Sequence, residues 1–190
     1  MAEIPPHGLA LVDEESPNPE VAEIFDNIKR AMQMPYVPNM MRAMAISPSV
    51  LKVYTGMMGL FFENATLPQS LVSIIHFTVA EKSNCTYCTV GNELMCRTLG
   101  VDEATLKTIA TDLGDVNPER IRIIIEFAVK AALHPQDLEP ADYDAMRAQG
   151  VTNEEIVEII LVAGMAVLAD IMADGLKIEV EKEVLDALAQ

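Results

Sequence analysis

The chain has no tryptophan, and aromatic residues make up only 5% of its 190 positions. Side-chain packing falls instead to aliphatic residues and to 12 methionines, which fill irregular gaps in helical cores and suit adaptable contact surfaces. Basic residues are scarce, 13 against 29 acids, for a net charge of −16. Such a surface repels phosphate backbones, so nucleic acid and anionic membranes are excluded as expected partners. No uninterrupted apolar run reaches the roughly 18 residues of a membrane span. The longest candidate, Ile156 to Met172, contains Asp170 and reads as a buried helix. The N-terminal stretch lacks a basic segment ahead of an apolar one, so it does not read as a signal peptide. Cysteine is rare, with three in all, and a reducing cytoplasm is the expected compartment.

Hydrophobic residues make up 51% of the chain, which excludes disorder as a description of the whole. The length suits one domain with a substantial core. Residues 1–19, punctuated by Pro5, Pro6, Pro17 and Pro19, read as a loose arm, and residues 20–190 as a single domain. The high apolar content points to an oligomer.

Every segment of that domain reads as helix. Asn18 and Pro19 open a helix over 20–34, with Val21, Ile24, Phe25 and Ile28 at helical spacing. The PYVPN run breaks it, and Met40 to Ile46 forms a short helix stopped by Ser47-Pro48. Pro48 restarts the chain with Val50, Leu51, Tyr54, Met57 and Met58 on one side. Further helices are expected over 67–81, over 85–99 ending at Gly100, from Asp102 to Ala110, from Asn117-Pro118 to Leu133, and over 140–148. Thr152-Asn-Glu-Glu is a capping-box start for a long apolar helix over 153–173, and 174–190 reads as a final amphipathic helix. The segments LVSII at 71–75 and IVEII at 156–160 are alike, either by chance or as the trace of a repeat, in which case the domain is two related helical hairpins.

Two cysteines lie within EKSNCTYCTVGNEL, residues 81–94. With Ser83 or Asn84 as cap, Cys85 falls in the first turn of a helix and Cys88 one turn further on the same face. That spacing brings two sulfurs near enough for a bridge, and a helix N-terminus favours thiolate. Asn92 is placed beside the pair, where it can hydrogen-bond a thiolate but accepts no proton. Glu81 reaches the pair as a base if the Ser83-Asn84 break folds it back. Tyr87 lies between the cysteines and His76 on the preceding helix; each either approaches the sulfurs or packs in the core. One C-x-x-C supplies two ligands where a closed zinc site needs four, and Cys96 lies too far along the helix to join them. No metal and no cofactor is therefore expected.

The segment TLPQSLVSIIHFTVAEKSNCTYCTVGNEL, with the upstream IFDNIKRAMQMPYVPNMMRAMAISPSVLKVY, resembles the carboxymuconolactone decarboxylase / alkylhydroperoxidase D-like family over about residues 20–175. The resemblance implies an all-α fold and a homo-oligomer, a trimer or hexamer. It implies a thiol-dependent peroxidase or disulfide oxidoreductase in which Cys88 attacks a hydroperoxide and Cys85 resolves it as a disulfide. A small hydroperoxide or disulfide and a dithiol reductant are then the partners. The chain departs from the family pattern where a proton relay is expected: Asn92 stands in place of a histidine and Ser73 in place of a glutamate. These departures support a second reading, a non-catalytic oligomeric relative; a third, a decarboxylase-type lyase, has both Asn92 and the C-x-x-C against it.

Overall fold

The computed structural model describes residues 9–15 and 17–189. Pro5 and Pro6, with the rest of residues 1–8 of the expected arm, lie outside the described residues. Ten α-helices follow one another, and the described residues contain no strand. They are α1 (Pro19–Met32), α2 (Asn39–Met44), α3 (Pro48–Asn64), α4 (Gln69–Ser83), α5 (Thr86–Thr98), α6 (Glu103–Thr111), α7 (Glu119–Leu133), α8 (Pro140–Ala148), α9 (Asn153–Gly175) and α10 (Lys182–Leu188).

Local chemistry fixes most boundaries. Asn18 accepts from the Val21 N–H and Asp102 from the Thr105 N–H, each satisfying a donor that has no partner within the helix. Thr152 and Glu155 form the expected reciprocal capping box at the start of α9. Gly100 and Gly150 follow α5 and α8 in the left-handed region, at φ 84° and 72°, where a side chain would be strained.

The centre of the fold is α4. Its residues 71 to 80 are buried without interruption, which is why the segment shows no one-sided apolar pattern. It packs against α5, α7 and α9. The two similar pentapeptides sit near the starts of α4 and α9, the pair of helices that meet at this centre. Ile75, Ile124, Ile125 and Ile159 are fully buried in the cluster these helices share. A second cluster lies at the other end of α4, where Val21 and Phe25 of α1, Met40 and Met44 of α2, and Leu51 and Tyr54 of α3 close over Cys85, Cys88, Ala169 and Ala173. The N-terminal helices thus form the roof of the dithiol.

By length and composition α9 is apolar enough to cross a membrane. In this fold it is a core helix with Ile156, Ile159, Val162, Ala163, Met165, Ala166 and Ala169 buried. Its other side carries Val157, Ile160, Leu161, Leu168 and Ile171 exposed, an apolar stripe along the single chain.

Three expectations need correction. Val50 does not share the buried side of α3; it is exposed, and Leu51 and Tyr54 carry the packing. The final helix is shorter than 174–190, because α9 continues to Gly175, Lys177 turns left-handed at φ 52° and only 182–188 is helical again. The intervening segment has its own partners: Glu179 O accepts from Asn39 Nδ2, and Glu181 caps the start of α2 by accepting from Asn39 N. Cys85 is not in the first turn of α5, as the next section describes.

The loop between α3 and α4 depends on α9. Glu158 accepts from Thr66 N at 3.0 Å, Thr66 Oγ1 at 3.0 Å and Leu67 N at 3.1 Å. Glu158→Ala leaves these donors without their carboxylate and should lower stability by about 1–3 kcal/mol. A urea midpoint equal to that of the unchanged protein would show that solvent replaces the carboxylate at no cost.

Candidate functional site

The chain turns sharply between α4 and α5. Asn84 closes α4 in the left-handed conformation at φ 62°, a conformation that asparagine tolerates better than most residues. Cys85 N–H donates to Ala80 O, and Cys85 itself is the extended residue that precedes α5. The polar pair Ser83-Asn84 therefore ends one helix rather than capping the next. Cys85 takes the cap position, and Cys88 lies in the first turn. The sulfurs remain one helical step apart at a helix N-terminus, where partial positive charge favours anions.

Both cysteines are buried and reduced. A third group meets them. Asp170, from the last third of the apolar α9, is buried, and a carboxylate oxygen and the two sulfurs all lie within 4.8 Å of one another. Ser83 Oγ donates to Asp170 Oδ2 at 2.5 Å and so fixes the carboxylate from the last turn of α4. Among the described residues no basic side chain pairs with Asp170.

The electrostatics follow from this crowding. The Cys88 thiol is pushed far above the ordinary thiol range, first by its interaction with the Cys85 sulfur, then by burial and the Asp170 carboxylate. Burial raises Asp170 as well, while the donors from Ser83, Cys88 and Cys85 pull it back. The Tyr54 phenol is raised by burial first and then by the charges of Cys88 and Asp170. A carboxylate that accepts protons more readily than usual thus stands against a thiol that releases one reluctantly.

The other expected participants are placed elsewhere. Asn92 Nδ2 donates to Cys88 O at 2.8 Å, so its amide serves the backbone of α5. Tyr87 Oη donates to Glu181 Oε1 at 2.8 Å and accepts from Met40 N at 3.3 Å, tying α5 to α2 and to the segment before α10. Glu81 is half-buried and lines a hollow of about 280 Å³ together with Asn84, Thr86, Thr89 and Val90. His76 is buried in α4 with Nε2 unpartnered among the described residues, and burial lowers it to about 4. Its neighbours along the helix divide between the two clusters: Val72 and Val79 belong to the α4–α7–α9 cluster, and Ala80, one turn further on, to the cluster of the sulfurs. Ser73 is buried on α4. Cys96 is a buried residue of the first cluster, pushed up to about 12, chiefly by burial.

Asp170 is the participant that sequence reasoning passed over. Its signal was present, as a lone acid inside an apolar run of a helix that is otherwise core. A buried charge is costly and persists where it has partners. Nothing in a single sequence, however, says that those partners are two cysteines 85 and 82 positions earlier.

The helix order and packing define an alkylhydroperoxidase D-like fold. A peroxidase-related protein from Silicibacter sp. TM1040 is similar to this chain with a TM-score of 0.81 and 22% identity, over 93% of this chain and 91% of that one. A peroxidase-related protein from Ralstonia eutropha JMP134, described as an alkylhydroperoxidase AhpD core, gives 0.76 and 22%, over 89% and 93%. The debrominase Bmp8, solved in complex with 2,3,4-tribromopyrrole, gives 0.80 and 14%, over 95% of both chains. No family profile and no curated protein matches the sequence. At these identities the likeness is one of fold, and it agrees with the all-α architecture expected from the residues.

Proposed function

We propose that the chain is a thiol-dependent peroxidase or disulfide oxidoreductase that works through Cys85 and Cys88, with Asp170 as proton acceptor. The observation that carries this reading is the mutual approach, within 4.8 Å, of two sulfurs and a carboxylate oxygen. Asp170 takes the Cys88 proton as the Cys88 sulfur attacks the terminal oxygen of a hydroperoxide. The S–O bond forms, the O–O bond breaks, and the alcohol leaves with the proton that Asp170 returns. The Cys85 sulfur then attacks Cys88, the S–S bond forms, and the S–O bond breaks. Hydroxide departs and takes up the Cys85 proton as water. The balance is one hydroperoxide and two thiols giving one alcohol, one water and one disulfide. An external dithiol reverses the disulfide by exchange.

In this chemistry Asp170 stands in for the relay that Ser73 and Asn92 do not supply. The N-terminal helices over the sulfurs limit access to small substrates.

The test is a thiol count. A slight excess of a small organic hydroperoxide should remove two of the three thiols per chain and spare Cys96. Cys88→Ser should abolish the reaction. Cys85→Ser should stop it at a sulfenic acid, which dimedone traps. An unchanged thiol count in the folded protein would sink the proposal. Because Bmp8 shares the fold, 2,3,4-tribromopyrrole serves as a second oxidant in the same assay; thiol loss with it and none with hydroperoxide would move the reading to reductive dehalogenation.

A further inference from the structure

Asp170 changes what the dithiol can hold. Two cysteines three apart give two ligands, and the fold brings a third from a helix far along the sequence. We propose that the reduced Cys85–Cys88–Asp170 cluster is a three-ligand site for a thiophilic divalent cation of the zinc class, with its fourth position open.

Five features of the site carry this. The ligand atoms are two sulfurs and one carboxylate oxygen, a donor set that suits zinc. Their mutual separations all lie within 4.8 Å, so the three atoms converge on a space that one ion can share. The two sulfurs leave the cap and the first turn of one helix, which supplies positive dipole to their combined charge. Ser83 Oγ donates to Asp170 Oδ2 and orients the carboxylate, as the carboxylates of metal sites are oriented. The cluster also lacks a cation of its own, since no basic side chain pairs with Asp170 among the described residues. Two thiolates and one carboxylate bring a charge of −3, which a divalent ion reduces to −1.

Three protein ligands with an open position is the arrangement of ion-binding sites that exchange water or a small ligand, rather than of closed structural sites. The inference uses the same side chains as the redox reading but does not depend on turnover. Metal uptake needs reduced thiols and no oxidant, whereas peroxide-driven thiol loss needs no metal. Either can fail alone.

The experiment uses the reduced full-length protein under anaerobic conditions and Co²⁺ as a spectroscopic probe. One Co²⁺ per chain should bind, with thiolate-to-metal charge-transfer absorption in the near ultraviolet and intense visible bands of a tetrahedral site, and Zn²⁺ should bleach both. Cys85→Ser and Cys88→Ser should each abolish the charge-transfer intensity of the bound pair, and Cys96→Ser should leave it unchanged. Asp170→Asn should weaken Co²⁺ binding at least tenfold. Absence of charge-transfer absorption in the unchanged protein overturns the proposal, whether or not the variants fold. Equal affinity in a folded Asp170→Asn variant also overturns it, because the dithiol alone would then be the site.

Discussion

Asp170→Asn should slow the loss of thiols to a small hydroperoxide by roughly 10²- to 10⁴-fold, the range associated with a positioned general base. The substitution keeps the volume of the side chain and an oxygen that can accept from Ser83 Oγ, so the helices around it have no reason to move. What it removes is the proton acceptor beside a thiol whose proton is held tightly. The opposite outcome has a physical meaning as well. A carboxylate next to a sulfur disfavours thiolate by like-charge repulsion, so an Asp170→Asn variant that reacts faster would show Asp170 to be a brake rather than a base. Stopped-flow rates for both proteins from pH 6 to 9 separate the two. With a base in place, the rate persists towards the lower end; without it, the rate should climb tenfold per pH unit as hydroxide takes over the deprotonation.

His76 should make the fold lose stability on mild acidification. In the folded chain its pKa is lowered to about 4, because burial disfavours the imidazolium and no partner meets Nε2 among the described residues. The unfolded chain binds a proton near the ordinary value of about 6.5. Between those values the unfolded state carries more protons than the folded one. The contribution of neutral His76 is therefore complete above pH 6.5 and lost progressively as the pH falls towards 4, in total about 3 kcal/mol. Asp102 and Asp142, held below the usual carboxylate range, add to acid lability only further down the scale. Asp170, raised by burial, works in the opposite direction as the pH falls, so the share of the histidine is the difference between the unchanged protein and His76→Leu. Thermal unfolding of both proteins between the two histidine values is the check. Parallel curves would mean that His76 finds a proton-bound partner and that its burial costs nothing.

The two residues show how differently the sequence speaks of architecture and of chemistry. Caps, prolines and glycines act over a few positions, and the helices they bound were legible to within a few residues, including the reciprocal cap at Thr152 and the stops at Gly100 and Gly150. The 174–190 segment was misread because its acids look like the solvent face of a helix. Glu181 instead carries the α2 cap and the Tyr87 hydroxyl, contacts that no local pattern encodes. The dithiol was legible, since both cysteines lie in one short stretch. The carboxylate that meets it was not, because α9 supplies it across the fold. Of the four neighbours that sequence proximity nominates, Glu81 lines an outer hollow, Asn92 donates to a backbone carbonyl, Tyr87 donates to a glutamate, and His76 Nε2 meets no partner among the described residues. Adjacency in the chain chose them, whereas packing of α4 against α9 chose Asp170.

Synthesis of the chain gives this long-range assembly a further meaning. The bond from Ser83 to Asp170 spans 87 residues, and the bond from Tyr87 to Glu181 spans 94. Cys85 and Cys88 leave the ribosome long before either carboxylate is made. During that interval they are ordinary thiols on a short, marginal pair of helices, open to whatever oxidant or metal is at hand. The carboxylate that meets their sulfurs arrives with α9, and the clamp on their helix arrives last. The finished site is thus a property of the completed chain, and the nascent one depends on its surroundings to keep its sulfurs reduced.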